Sequence, residues 1–252
     1  MENTSQLIAE LARQMLRGFN WGLAARTQEI PLRKPEEISQ LAQSLSKEGE
    51  TAVMELFTKF PANADIIAKA DLVVDTWSAL EDLREYLIDL CLLRIIVEGG
   101  EQEGESFLDG AAWEKVEQVT EDRGTEMLNL LVYLRDCGEN ETEPSLDDFL
   151  NEFLLVSDED FQEELGIYEE FIRSRDIIDG SLQQLIQAGN AIRDPEMQEI
   201  YTPTMLFFKS RELKPGNLML HLLNESRSPE LHAALYLLMT GFYISDGQAN
   251  FN

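Results

Sequence analysis

Residues 64–97 read ADIIAKADLVVDTWSALEDLREYLIDLCLLRIIV, 34 residues without a glycine or a proline. Ile67, Leu72, Val74, Trp77, Leu80, Leu83, Leu87, Leu90 and Ile95 recur through the stretch mostly at three- and four-residue intervals, the period of a helix with one buried face. It is either one central helix or two. The break would fall near Asp75-Thr76-Trp77-Ser78, where an Asp, Thr or Ser side chain is placed to cap a second helix. Strict alternation over strand length is scarce elsewhere, so the fold class is all-α, an irregular bundle of roughly nine to twelve helices.

Toward the N-terminus, a helix capped at Asn3, Thr4 or Ser5 carries Leu7, Ile8, Leu11 and Met15 on one face to about Arg17. Gly18 reads as its end. Phe19 to Lys34 then reads as a loop, with Trp21, Ile30 and Leu32 beside Arg26, Arg33 and Lys34, one of the few locally basic places in the chain. Pro35, followed by Glu36 and Glu37, starts a helix to about Leu45, and Glu48 to Phe60 forms another that Pro61 breaks.

Toward the C-terminus, Glu98 to Gly110 reads as a connector rich in Gly and Glu, and helices follow over Ala111–Val119 and Thr125–Cys137. Gly138 to Pro144 is acidic and reads as flexible. It divides the chain into an N-terminal helical part, 1–138, and a C-terminal part, 139–252, that starts acidic and ends apolar; these are two packed subdomains or one continuous domain. Ser145-Leu-Asp-Asp148 and Ser157-Asp-Glu-Asp160 carry N-cap signatures. Further helices start at Asp179 or Ser181 and at Asp194-Pro195, the latter interrupted by Pro203. Lys214-Pro215-Gly216-Asn217 is a turn that caps another helix, and Ser228-Pro229-Glu230 opens the last, which runs to about Tyr243.

Hydrophobic residues make up 44% of the 252, close to the globular norm of about 45–50%, so a sizeable core is available. Charge is the unusual quantity. Twenty Lys and Arg stand against 48 Asp and Glu, a net charge of −28, where about 2–8 charges of either sign suit a small domain. The excess argues against direct binding to nucleic acid, which draws most of its affinity from a basic stripe. It argues equally against docking on anionic lipid. A basic protein partner or bound cations remain compatible with it. Leu231–Ile244 is the longest strongly apolar stretch free of charge, and its 14 residues fall short of the roughly 20 needed to span a bilayer. The start, Met1-Glu2-Asn3-Thr4-Ser5, lacks a basic segment followed by an apolar run, so no signal peptide is expected. Cys91 and Cys137 sit in apolar-periodic contexts and read as reduced, core-facing thiols of a cytoplasmic protein.

Between Arg135 and Arg173 lie 14 acidic residues and no Lys or Arg. Apolar residues interleave them at helical spacing, which predicts a folded, one-sided negative surface rather than an acidic tail. Asp147, Asp148, Glu152, Asp158, Glu159, Asp160, Glu163 and Glu164 are its candidate partner-binding residues. Metal readings of the same stretch are weaker. Asp158, Asp160, Gln162 and Glu169 approximate positions 1, 3, 5 and 12 of a calcium loop, but Glu163 stands where the sharp-turn glycine belongs. Asp147-Asp148-Phe-Leu-Asn151-Glu152 superficially resembles the aspartate-rich motif of helical prenyl-transferring enzymes, yet it lies at a helix start, where the dipole favours Asp anyway. Glu114 and Glu117 form a Glu-x-x-Glu pair of a kind that 48 acids supply by chance. Glu98, Glu101, Glu103 and Glu105 would repel a phosphate from the glycines at 99, 100, 104 and 110.

His221 and His232 belong to no Glu-x-x-His pair, and no zincin, nucleophile-elbow or Walker sequence occurs. No catalytic residue emerges, and no cofactor or metal site is expected. The leading expectation is a non-enzymatic protein–protein interaction protein: an adaptor, a chaperone-like protein or an inhibitor of a basic partner. One alternative is a helical metal-dependent enzyme acting on a phosphorylated compound through Asp147 and Asp148. The other is a DNA mimic whose carboxylates stand in for phosphates.

Overall fold

The computed structural model describes residues 2–41, 43–120, 123–154, 168–173, 175–209 and 215–245. The protein is 80% helical, with no strand among the described residues. In chain order the helices are α1 (Glu2–Arg26), α2 (Pro35–Ile38), α3 (Lys47–Lys59), α4 (Asp65–Thr76), α5 (Arg84–Glu103), α6 (Ala111–Thr120), α7 (Glu126–Glu139), α8 (Leu146–Asp148), α9 (Glu169–Arg173), α10 (Leu182–Ala191), α11 (Pro195–Lys209), α12 (Pro215–Glu225) and α13 (Pro229–Ser245). Tighter 3₁₀ turns occupy Ser78–Leu83, Gly104–Phe107 and Arg175–Asp179. Contacts group the chain into two compact units, residues 1–14 with 45–132 and residues 15–44 with 133–252, so α1 and α7 each supply residues to both. Among the described residues, no helix is long and apolar enough to cross a membrane.

In the first unit the 34-residue stretch resolves into α4 and α5, which pack on each other. The break falls at Trp77, but no side chain caps it. Packing stabilises it instead. Leu80 and Leu83 become fully buried in the intervening turn, and the Trp77 ring lies against the bare flank of Gly49. The connector expected over Glu98–Gly110 is helical as far as Glu103. Gly99 stays within α5 because the Phe107 ring occupies the space a Cβ would take, so this glycine serves close packing rather than a turn.

Charged groups inside this unit are paired. Asp89, fully buried on α5, accepts from the Thr125 backbone N–H at 2.9 Å and from its hydroxyl at 2.7 Å, and so caps α7 from outside that helix. Gly124, at φ +98°, makes the approach sterically free. Arg94, 5% exposed, donates to Glu98 at 2.7 Å and to the Phe60 carbonyl at 2.8 Å, just past the C-terminus of α3. Asp71 bridges Arg84 and Arg123, and these arginines also reach Asp75, Glu81 and Glu85.

The second unit is organised round α13, whose Leu231, Ala233, Ala234, Leu235, Tyr236, Leu238 and Met239 are buried. α11 and α12 pack on it, and α10 packs on both of those helices. α1 does not stop at Gly18 but continues through the expected loop to Arg26. Gly18 and Gly22, one turn apart, face the backbone of α13. A Cβ at Gly18 would lie 2.2 Å from the Ala233 carbonyl oxygen, and one at Gly22 would lie 2.0 Å from the Glu230 Cα. The glycines serve the close approach of two helix backbones, a tertiary use that a local reading takes for a helix stop. α2 in turn is a single turn that ends at Ile38 rather than near Leu45.

Pro203 does not interrupt α11, which runs unbroken to Lys209. Residues 200–206 are all buried, and that packing outweighs the hydrogen bond the proline forgoes. Ser181 and Gln184 form a reciprocal capping box on α10, and the Asp194 carboxylate accepts from the Met197 amide to start α11.

Candidate partner-binding face

The acidic surface of the second unit rests on aromatic packing. Phe149 and Phe153, one turn apart, stack on each other and both meet the Tyr133 ring, at 5.2 and 5.5 Å between centroids. Phe149 also touches Tyr168 and Phe208, while Phe171 links Tyr168 to Tyr201. Phe149 and Leu150 are buried and Phe153 is half-buried. Directly after α8 the chain adopts a π-helical turn over Phe149–Phe153, closed by the Leu154 N–H on the Phe149 carbonyl at 3.0 Å.

Ser145 begins this element. Its hydroxyl accepts from the Asp148 N–H at 3.1 Å as the N-cap. The Tyr133 hydroxyl then holds both backbone groups of Ser145, accepting from its N–H at 2.8 Å and donating to its carbonyl at 3.1 Å. Burial holds the Tyr133 hydroxyl well above the ordinary phenol range, so it stays a neutral donor and acceptor. One side chain of α7 thereby sets the start of α8.

Asp147, Asp148 and Glu152 project from this base into solvent. Asp136, Glu139, Glu141 and Glu143, on the end of α7 and the following loop, are also exposed. Two arginines pair within the group: Arg135 meets Glu139 at 2.6 Å and Arg175 meets Asp147 at 3.0 Å. Of the expected partner-binding residues, the structure brings Asp147, Asp148 and Glu152 onto one short element. Asp158, Glu159, Asp160, Glu163 and Glu164 lie outside the described residues, as does the Ser157 cap. Glu169, the last position of the calcium-loop pattern, is exposed and paired with Arg173.

Beside Asp147 lies a recess of about 220 Å³, lined by Pro144, Ser145, Leu146, Asp147, Arg175, Ile178 and Phe208. Its floor is apolar, and its edge carries one carboxylate and one guanidinium. Arg175 also reaches the Asn151 side-chain oxygen at 3.3 Å. Sequence reasoning missed Tyr133, Arg175, Ile178 and Phe208. The one available signal was that Arg175 closely follows the cation-free acidic run.

Several other polar groups find partners within the fold. His232 is fully buried at the start of α13. Its Nε2 sits 3.0 Å from the Gln198 carbonyl, which can only accept, so Nε2 carries the proton. Its Nδ1 then accepts from the Ser226 hydroxyl at 2.7 Å. Burial pushes its pKa down to about 4. His221, partly exposed on α12, pairs with Glu225 at 2.7 Å. Burial pushes the Cys91 thiol up, which leaves it unreactive. In the first unit, Glu114 and Glu117 line an open hollow with Gln118 and Thr120. Among the described residues, no three His, Cys, Asp or Glu side chains converge into a metal-ligating group.

Compared with known protein families, with curated proteins and with solved structures, the chain matches none.

Proposed function

We propose that this protein is a non-enzymatic interaction protein that engages a basic protein partner through the acidic face carried by the end of α7 and by α8. The observation that supports this reading most is the mounting of the charge. Asp147, Asp148 and Glu152 stand exposed on a short element whose start is held by Tyr133 and whose underside is anchored by Phe149 and Phe153. Carboxylates fixed in this way present a preorganised field, which speeds encounter with a partner of opposite charge and limits the ordering cost on binding.

The magnesium–phosphate alternative draws less support. Asp147 is engaged by Arg175, and among the described residues no group of three His, Cys, Asp or Glu side chains converges round it.

Association with a fluorescent Arg-rich peptide, followed by stopped flow, tests the proposal. The rate should fall about tenfold or more between low and high salt. The triple variant Asp147→Asn, Asp148→Asn, Glu152→Gln should lose most of that dependence. A rate indifferent to both salt and the variant removes the acidic face from the function.

A further inference from the structure

The recess beside Asp147 has the scale of one side chain. An apolar cavity of about 150 Å³ takes one benzene-sized ring, whereas sites for drug-sized ligands run to about 300–1,000 Å³. At about 220 Å³, this one lies between them. Leu146 and Phe208 are buried beneath it, and Pro144 and Ile178 complete its apolar wall. The rim is polar, with Asp147 and Arg175 facing each other at 3.0 Å. Although the Arg175 Nε is buried, its approach to Asp147 lacks hydrogen-bond alignment, so that nitrogen has an ion contact without a directed bond. A cation therefore already occupies the carboxylate at the rim, held less well than an aligned fork would be.

We propose that this recess is an anchor pocket for a basic peptide segment of the partner, taking one aromatic or large aliphatic side chain while a neighbouring Arg or Lys displaces Arg175 from Asp147. The inference rests on the acidic-face reading and narrows it. The partner's recognised segment is then an apolar anchor within a few residues of a cation, rather than a run of positive charge alone. Anchor and rim divide the work. Burial of the anchor supplies affinity that salt leaves intact, and the carboxylates supply steering and orientation. Arg175 acts as an internal stand-in for the partner's cation, so it should oppose binding.

Fluorescence anisotropy with three labelled peptides tests this on the full chain: a basic peptide with one central Phe, the same peptide with Ala in its place, and a peptide with the Phe whose basic residues are replaced by Gln. The Phe-containing basic peptide should bind about tenfold or more tighter than its Ala form. Ile178→Trp, which fills the recess from its partly exposed wall, should erase that difference while leaving the Ala peptide's affinity unchanged. Arg175→Gln should tighten the Phe-containing basic peptide severalfold; an unchanged or weaker affinity rejects the stand-in role. Circular dichroism confirms that each variant remains helical. Equal, salt-sensitive binding of both basic peptides overturns the pocket while the acidic face stands. Equal binding of the two Phe peptides keeps the pocket and overturns the acidic face. Failure of all three to bind overturns both.

Discussion

The two units handle the same acidic excess in opposite ways. In the first, cations are inserted between carboxylates. Arg84 and Arg123 tie together Asp71, Asp75, Glu81 and Glu85, and Arg94 is drawn inside against Glu98. In the second, the interior beneath the acidic face is aromatic, and Asp147, Asp148 and Glu152 are turned outward. The difference teaches where each unit's charge has its effect. Buried and networked ions specify packing and are costly to disturb, whereas exposed ions of one sign add little stability and remain available to a partner.

The largest expected effect breaks the first arrangement. Arg94→Ala leaves Glu98 poorly solvated beside an unanswered Phe60 carbonyl and should cost about 3–5 kcal/mol in denaturant unfolding. A loss under about 1 kcal/mol would mean that the buried pair is not what holds α3 against α5.

Titration separates the units further. His232 has a pKa near 4 in the folded chain against an ordinary 6.5, so the unfolded chain takes up the proton first as pH falls. Its contribution is complete above pH 6.5 and is lost on descent to about pH 4, a loss of about 3 kcal/mol. Relief of repulsion among the carboxylates acts in the opposite direction. The measurement is therefore the difference between the protein and His232→Asn, whose stability profile should lack this slope. Asp71 in the first unit has a lowered pKa, caused first by its hydrogen bond to Arg123. Its contribution persists above the ordinary value of 3.8 and is lost only below it, so Asp71→Asn should lower stability above pH 3.8, with the difference from the protein shrinking only in the more acidic window.

Gly22→Ala sharpens the picture of the second unit. A methyl group cannot fit 2.0 Å from the Glu230 Cα, so α1 must shift from α13, at about 1–3 kcal/mol by thermal unfolding. Tyr133→Phe keeps the ring but strands the Ser145 N–H, which should cost about 1–2 kcal/mol and weaken binding of a basic peptide along with it. The smallest effect completes the contrast. Asp148→Asn should change stability by no more than about 0.5 kcal/mol while slowing association with a basic peptide.

How much of this was legible beforehand depended on whether a residue acts locally. Ser145, Ser181 and Asp194 cap helices through side chains that reach backbone three positions away, so the cap and the helix it opens stand together in the sequence. Gly18, Gly99 and Pro203 misled for the complementary reason. Each is a local breaker, and each is kept within a helix by a distant group: the backbone of α13, the ring of Phe107, and the packing round α11. The acidic face was legible as a run of charge. Its support by Tyr133 and its recess walled by Ile178 and Phe208 were not, because those residues lie 12 or more positions from Ser145 or come from other helices.

The sequence by itself determined the all-α class, the course of most helices and the sign of the surface, since periodicity, capping and net charge are properties of neighbouring residues or of the whole composition. The tertiary structure alone decided whether the central stretch breaks, as it does at Trp77, that α1 continues past Gly18 to meet α13, and that Asp147 sits at the rim of an apolar recess opposite Arg175. Each of these depends on which distant surfaces come into contact, and that is settled by the packing of many faces at once.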